Sequence, residues 1–244
     1  MLTLSTKEEV LTLDPTTTGF LFWDPTMILL IPALILGIWA QSKVRSAFNK
    51  FSQIRAASGL TGAQAARALL DRSGLADVKV EPIPGNLTDH YDPRGRVLRL
   101  SQGVYASNSL AALGIAAHET GHALQDQAGY WPMRVRSSLV PVASLGSTML
   151  WPLLIGGFLF GIKPLVTIGI LLYSVAVLFH LVTLPVEFNA SSRALAMLET
   201  TGALAPQEIG GARQVLSAAA MTYVAATLAA VLTLIRLLIL RNRD

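Results

Sequence analysis

The sequence reads His118-Glu-Thr-Gly-His122 near its midpoint, and this pentapeptide guides the interpretation of the other residues. On an α-helix, residues i and i+4 lie on one face, so His118 and His122 can reach the same metal ion. Glu119 lies beside that face, where its carboxylate is placed to take a proton from water. The pentapeptide therefore predicts a helix that carries a metal centre and a general base.

The residues around the pentapeptide favour a buried helix. The preceding stretch, Leu110-Ala-Ala-Leu-Gly-Ile-Ala-Ala117, is small and apolar, and we expect the helix to run from near Ser107 or Asn108 to about Gln127. Gly121 is a poor helix former, so its presence predicts the close approach of a neighbouring chain segment or a ligand.

Zinc is the metal that this donor set favours. The chain has no cysteine and only four histidines, so any metal must be held by histidine or carboxylate. A catalytic zinc ion has three protein ligands and leaves the fourth position for water. We expect one zinc ion per chain, held by His118, His122 and a third ligand elsewhere.

Glu187 is the predicted third ligand. Few acidic residues follow the pentapeptide: Asp126, Glu187, Glu199, Glu208 and Asp244. Glu187 follows directly on a long apolar segment. A charged carboxylate beside the bilayer is energetically costly, and metal ligation is one function that explains its presence. The alternative is an interfacial glutamate paired with Arg193. Asp126, one helical turn after His122, is expected to cap or pair on its own helix.

The composition predicts a membrane protein. Hydrophobic residues make up 52% of the chain and charged residues only 14%, against about 25% charged in typical soluble proteins. Four apolar segments each approach the ~20 residues that cross a bilayer as a helix; they cover residues 19–40, 139–162, 165–186 and 218–240. The predicted fold is therefore mostly α, a multi-pass membrane protein with about four transmembrane helices.

The charges predict the orientation and the partners. Most basic residues lie within the segments 41–138 and 187–217, which we therefore expect to be cytoplasmic, leaving 1–18 extracytoplasmic. We expect the segment 41–138 to be the catalytic region and the segment 187–217 to carry the third zinc ligand. The net charge of +4 is spread without interleaved aromatic residues, which argues against a nucleic-acid partner. The expected partners are the lipid bilayer and a polypeptide substrate.

The long polar region has its own predicted elements. Thr61 can cap a helix over 63–71, and short strands are expected at 78–80 and 96–101, with a turn at 92–95. We expect residues 96–100 to form an edge strand that pairs with an extended substrate, a recurring mode of peptide recognition.

Two further histidines are candidates for supporting roles. His180 lies seven residues before Glu187, on roughly the same helix face, and either supports the metal centre or bonds a neighbouring helix. His90 precedes the 96–101 strand, where an imidazole either approaches the substrate or stabilises an oxyanion, or belongs simply to a turn.

The chain resembles the YugP-type family of membrane zinc metallopeptidases and, more loosely, HtpX-type and CAAX-prenyl endopeptidases. The resemblance rests on five motifs spread over nearly the whole chain: Trp39-Ala-Gln-Ser-Lys-Val44, Ser58-Gly-Leu-Thr-Gly-Ala63, Leu87-Thr-Asp-His-Tyr-Asp-Pro93, Ala117-His-Glu-Thr-Gly-His-Ala-Leu-Gln125 and Leu184-Pro-Val-Glu-Phe-Asn-Ala-Ser191. It implies a zincin-like catalytic core with a small β-sheet, the bacterial plasma membrane as location and an active site near the cytoplasmic face. It also supports Glu187 as the third ligand.

One departure from the HtpX-type pattern affects the site. That pattern has an Ala-Asp pair three and four residues after the ligand glutamate, whereas this chain has Ala190 and Ser191. The carboxylate that would orient the site is therefore missing. Asn189, Ser191 and Arg193 are the candidates to replace it.

The sequence as a whole predicts a gluzincin-like zinc endopeptidase, built from the His-Glu-x-x-His motif and a distant glutamate. It would hydrolyse membrane or membrane-proximal polypeptides with metal-activated water, and the resemblance suggests membrane protein quality control. The alternatives are a non-catalytic membrane scaffold with a structural zinc site and a metal transporter that uses His180 and Arg236. The presence of Glu119 favours the peptidase.

Overall fold

The structure is a computed structural model that describes residues 24–242. The predicted extracytoplasmic segment 1–18 and the first five residues of the predicted first span lie outside the described residues. The described chain is mostly helical, with a short β-sheet inserted after the second helix. In chain order its elements are a 3₁₀ helix Pro25–Leu30, α1 Ile31–Ser52, α2 Gly62–Arg72, β1 Lys79–Ile83, β2 His90–Asp92, β3 Val97–Ser101, α3 Gln102–Tyr105, α4 Leu110–Gln127, α5 Trp131–Leu159, α6 Lys163–Thr200 and α7 Ile209–Arg241.

Among residues 24–242, four helices are long and apolar enough to cross a membrane, which confirms the predicted fold class. They are the 3₁₀ helix with α1 (Pro25–Ser52), α5, α6 and α7. The 38 residues of α6 span roughly 57 Å, whereas the bilayer hydrocarbon core is about 30 Å thick. Part of α6 therefore extends beyond the membrane, and Glu187 lies in its second half.

The helices pack around apolar cores at both ends of the bundle. At one end, Phe51 of α1, Leu113 of α4, Leu198 of α6 and Leu216 of α7 share a buried cluster with residues of α2. At the other end, a smaller cluster joins α5, α6 and α7. The polar insertion between α1 and α5 thus packs against the C-terminal half of α6 and the N-terminal half of α7.

The sheet has the strand order β1-β3-β2. β1 pairs parallel to β3, and β2 pairs antiparallel to its other side. The prediction that residues 96–100 form an edge strand is therefore wrong, because β3 is the central strand. Four of its five residues are buried, as expected for a strand that is covered on both faces. The edge that remains next to α4 belongs to β2.

Local sequence signals placed two helices accurately. Thr61 and Gln64 form a reciprocal capping box at the start of α2, as the predicted cap at Thr61 requires. The predicted buried helix is α4, whose cap is Ser109 rather than Ser107 or Asn108: its hydroxyl accepts a hydrogen bond from the Ala112 amide at 3.2 Å. Helix capping at the N-terminus satisfies amides that have no partner within the helix.

Arg236 forms a buried polar contact between the start and the end of the described chain. Its Nη2 lies 3.6 Å from Oδ2 of Asp24, and its Nε donates to the Thr26 hydroxyl at 3.1 Å. Thr26 in turn hydrogen-bonds Asp24. An ion pair that is buried and hydrogen-bonded in this way holds the first helix against α7, so Arg236 has a structural partner.

Candidate metal centre

Helix α4 is buried on two faces, which explains its small apolar residues. Leu113 and Ala117 pack into the cluster shared with α1, α6 and α7. Ala112 and Ala116 pack into a second cluster that contains β3 and Tyr91 of β2. The side chains of the pentapeptide are thereby held in one place between the sheet and the membrane helices.

Gly121 allows α6 to approach α4 closely. A β-carbon at this position would lie 2.6 Å from the carbonyl oxygen of Ala190, closer than such atoms pack. The neighbouring chain segment predicted from the glycine is therefore the backbone of α6. This approach brings Glu187, less than one helical turn before Ala190, over the face of α4 that carries the two histidines.

The three predicted ligands converge. Oε2 of Glu187 lies 3.2 Å from Nε2 of His118 and 3.6 Å from Nε2 of His122. The imidazole centroids are 4.8 Å apart, with the rings nearly perpendicular. All three potential ligand atoms lie within 4.8 Å of one another, so this group of residues could hold one metal ion.

The other ring nitrogens of the histidines are already engaged. Nδ1 of His118 lies 3.2 Å from the Ser191 hydroxyl, and Nδ1 of His122 lies 3.0 Å from Oε1 of Gln125. A histidine that ligates a metal through one nitrogen commonly donates the other N–H to an oxygen acceptor, which fixes the tautomer and the ring plane. The Nε2 atoms that face Glu187 are the ones left for a metal.

Gln125 links α4 to the ligand segment of α6. Its side chain is fully buried, and its amide nitrogen donates to the Val186 carbonyl at 2.8 Å and to Oδ1 of Asn189 at 3.0 Å. Asn189 also accepts a hydrogen bond from Nε of Arg193 at 2.8 Å. Two of the three proposed replacements for the missing carboxylate therefore act through this network, while Ser191 contacts His118 directly.

Glu119 is buried beside the ligands and is held by the sheet. Its Oε2 accepts a hydrogen bond from the backbone amide of Tyr91 at 3.1 Å. The Tyr91 hydroxyl donates to Oδ2 of Asp126 at 2.9 Å; burial and this bond raise the pKa of the phenol, which keeps it a donor. Asp126 thus pairs with β2 and does not join the three predicted ligands, while β2 fixes the position of the predicted base.

The charges around His122 oppose the effect of its burial. Burial lowers the pKa of its ring, but the polar contact with Glu187 and the negative charges of Glu119 and Glu187 outweigh this effect. The pKa of His122 is therefore raised above its ordinary value. The pocket favours positive charge, as a site for a cation should.

His90 and His180, two of the supporting residues predicted from the sequence, contact groups other than the three predicted ligands. The His90 ring contacts the Thr88 carbonyl oxygen at 2.9 Å and Nη1 of Arg99 at 3.5 Å. His180 contributes its backbone carbonyl to a bond from Thr227 of α7. Arg193 bonds Asn189 rather than Glu187, so the alternative pairing of Glu187 with Arg193 is wrong.

Sequence reasoning missed several residues of the site, among them Gln125, Tyr91 and Arg136, and Tyr223 of α7 also contacts Glu187. Gln125 lies three residues after His122 on the helix, a spacing that places side chains together. A strand that contains Tyr91 was signalled by the turn at 92–95 next to a predicted strand, the pattern of a hairpin. Arg136 of α5 lies with its Nη2 3.7 Å from Oε1 of Glu187, and no local pattern indicates this contact.

Fold and site together define the class: a multi-pass membrane protein of the zinc metallopeptidase type. The chain belongs to the family described as "Putative neutral zinc metallopeptidase", whose model matches residues 26–242. It is 49% identical over 220 residues to the "Putative membrane protease YugP" of Bacillus subtilis (strain 168), a match that covers 89% of this chain and 98% of that protein. No solved structure matches the chain.

Proposed function

We propose that the chain is a membrane-integrated zinc endopeptidase in which His118, His122 and Glu187 hold one zinc ion and Glu119 is the general base and acid. The observation that carries this proposal is the convergence of two Nε2 atoms and a carboxylate oxygen beside a second, buried carboxylate. Two imidazoles with a distant glutamate are a donor set of catalytic zinc sites.

The spacing of the donor atoms supports zinc. Ligand atoms bonded at about 2.0–2.2 Å to a tetrahedral centre lie roughly 3.3–3.6 Å apart. The distances from Oε2 of Glu187 to the two Nε2 atoms, 3.2 and 3.6 Å, lie within about 0.1 Å of this range. The bonds that Ser191 and Gln125 make with the Nδ1 atoms fit the same assignment.

The proposed reaction is hydrolysis of a peptide bond. When bound, zinc supplies a Lewis acid that polarises the carbonyl and acidifies water. Glu119 takes one proton from water as the water oxygen bonds to the carbonyl carbon and the C=O π electrons move to the carbonyl oxygen. When these electrons return, the C–N bond breaks, and Glu119 gives the proton to the leaving nitrogen. The products are a carboxylic acid and an amine.

β2 is the strand that we propose for substrate recognition, in place of β3. The Tyr91 amide points away from β3, because it donates to Glu119. The outer edge of β2 therefore runs past the proposed base, where an extended polypeptide can pair with its backbone. This arrangement would place a peptide bond of the substrate next to Glu119.

We further propose that the centre faces the cytoplasm at the membrane surface of the bacterial plasma membrane. Glu187 lies on a helix that extends from the apolar bundle, and it pairs with Arg136 near the basic start of α5. A site at this depth suits membrane or membrane-proximal polypeptides, and turnover of such proteins is the physiological role that we propose, in line with quality control.

The experiment that tests the proposal compares Glu119→Gln with the wild type. Both proteins are purified in detergent, loaded with zinc and assayed for hydrolysis of fluorescent casein. We expect the variant to keep its zinc and its thermal stability while the rate falls by about 10²–10⁴-fold. Glu199→Gln, which changes an exposed glutamate of α6, is the control and should remain active. Equal cleavage by Glu119→Gln would reject the peptidase mechanism.

A further inference from the structure

The guanidinium of Arg136 lies at the metal centre without forming a metal ligand. Its Nη2 is 3.7 Å from Oε1 of Glu187, whereas the other oxygen, Oε2, faces the two histidines. The Arg136 side chain is 30% exposed, so part of it is accessible from outside the protein. Its other neighbour is the ring of Phe179, whose centroid is 5.9 Å from the guanidinium carbon.

Arg136 has unused hydrogen-bond donors. Its Nε is buried and has no partner within residues 24–242. The distance of 3.7 Å to Glu187 is longer than a hydrogen bond, so this contact is an ion pair. A guanidinium carries five N–H donors in a fixed planar fork, and leaving a buried one unpaired is unfavourable. The guanidinium of Arg136 therefore has a donor that no group of the described chain accepts.

The charges of the site indicate which acceptor is needed. Glu119 and Glu187 are both buried carboxylates, and each would repel negative charge on a reacting carbonyl oxygen. Among the lysines and arginines of the described part of the chain, Arg136 is the one that forms an ion pair with Glu187. A guanidinium held here offsets this repulsion without reorganising during the reaction, which is how preorganised donors lower a barrier.

We propose that Arg136 is a catalytic residue that donates hydrogen bonds to the carbonyl oxygen of the scissile peptide bond and stabilises the negative charge that develops there. This role rests on the proposed peptidase function. Arg136 contacts one oxygen of the Glu187 carboxylate, and the two histidines contact the other. A substrate oxygen that Arg136 can reach therefore also lies near the three predicted metal ligands. The alternative acceptor is the C-terminal carboxylate of the substrate. In an endopeptidase substrate this group lies farther from the reacting carbon than the scissile carbonyl oxygen does.

The test uses zinc-loaded protein in detergent and the variants Arg136→Gln and Arg134→Gln. Arg134 is an exposed arginine on the same helix and serves as the matched control. We measure zinc per chain, kcat and KM for fluorescent casein, and the thermal shift caused by phosphoramidon, a phosphoramidate that mimics the tetrahedral transition state. We expect Arg136→Gln to keep zinc and KM, to lose about 10²–10³-fold in kcat, and to lose the phosphoramidon shift. Arg134→Gln should behave as the wild type.

Three outcomes would overturn the proposal: loss of zinc in Arg136→Gln, which means that Arg136 only holds Glu187; an unchanged kcat; or a raised KM at constant kcat, which indicates ground-state binding. If Arg136→Gln does not fold, Arg136→Lys carries the test. It keeps the charge but lacks the fork, and should lower kcat with zinc retained. A wild type that neither cleaves casein nor shifts with phosphoramidon would reject the peptidase function itself.

Discussion

The hydroxyl oxygen of Ser191 lies 3.2 Å from Nδ1 of His118. This serine occupies the position where the HtpX-type pattern has an aspartate, and it makes the contact that a carboxylate would be expected to make. A hydroxyl is a weaker acceptor than a carboxylate, because it carries no charge. The site therefore combines this bond with the Gln125 network to orient both imidazoles.

Ser191→Ala should weaken zinc binding. Without the hydroxyl, the His118 ring loses the partner that fixes its tautomer and plane, and changes of this kind cost about 10–100-fold in metal affinity or activity. The measurement is zinc affinity by competition with a chromogenic chelator. The control is Ser192→Ala, which removes a hydroxyl bonded only to the Phe188 carbonyl of its own helix. Equal affinities for Ser191→Ala and the wild type would show that His118 needs no such partner.

Gln125→Leu should destabilise the protein and the centre together. The buried amide bridges His122, Val186 and Asn189, so its removal leaves polar groups without partners. Each such group costs about 1–3 kcal/mol. Thermal unfolding in detergent should show a lower midpoint and weaker stabilisation by zinc. Gln127→Leu, an exposed position on the same helix that loses only a surface hydrogen bond to the Ser73 carbonyl, should change both quantities far less. A Gln125→Leu variant as stable as the wild type would contradict this account.

Gly121→Ala should disrupt the contact between α4 and α6. The added β-carbon would lie 2.6 Å from the Ala190 carbonyl oxygen, so the two helices must separate. We expect a loss of about 1–3 kcal/mol in the free energy of unfolding, and weaker zinc binding because Glu187 moves with α6. Gly210→Ala adds a methyl group near the start of α7, where no atom lies within 4 Å, and should be tolerated. Zinc binding of wild-type strength in Gly121→Ala would show that the close approach is not required.

The proposed orientation can be tested by cysteine labelling. The chain has no cysteine, so single replacements at exposed positions carry no background. Lys163→Cys lies at the start of α6, next to the turn from α5, and Gln53→Cys follows α1. In intact spheroplasts, a membrane-impermeant maleimide should label Lys163→Cys, whereas Gln53→Cys should react only after permeabilisation. The reverse pattern would place the active site outside the cytoplasm.

The sequence allowed prediction of the features that depend on local signals. Segment length and hydropathy indicate the membrane helices, and the capping residues mark α2. The spacing of the pentapeptide indicates the ligand face of α4. The order of the strands was not predictable from local signals. β1 and β2 both pair with β3, and these pairings depend on tertiary contacts.

The supporting contacts of the site were only partly predictable. Asn189, Ser191 and Arg193 were all candidates, since each follows Glu187 closely on one helix. Which of them reaches a histidine depends on how α6 rotates against α4, and Gly121 sets that packing. Arg136 belongs to a third helix, so its contact with Glu187 exists only in the assembled bundle.

The zinc content of the purified protein tests the central claim most directly. Wild-type protein, Glu187→Ala and the control Glu199→Ala are purified in detergent, reloaded with zinc, desalted and analysed by elemental mass spectrometry. We expect about one zinc per chain in the wild type and in the control, and little or none in Glu187→Ala. Zinc retained by Glu187→Ala, or a wild type that binds none after reloading, would contradict the proposed centre.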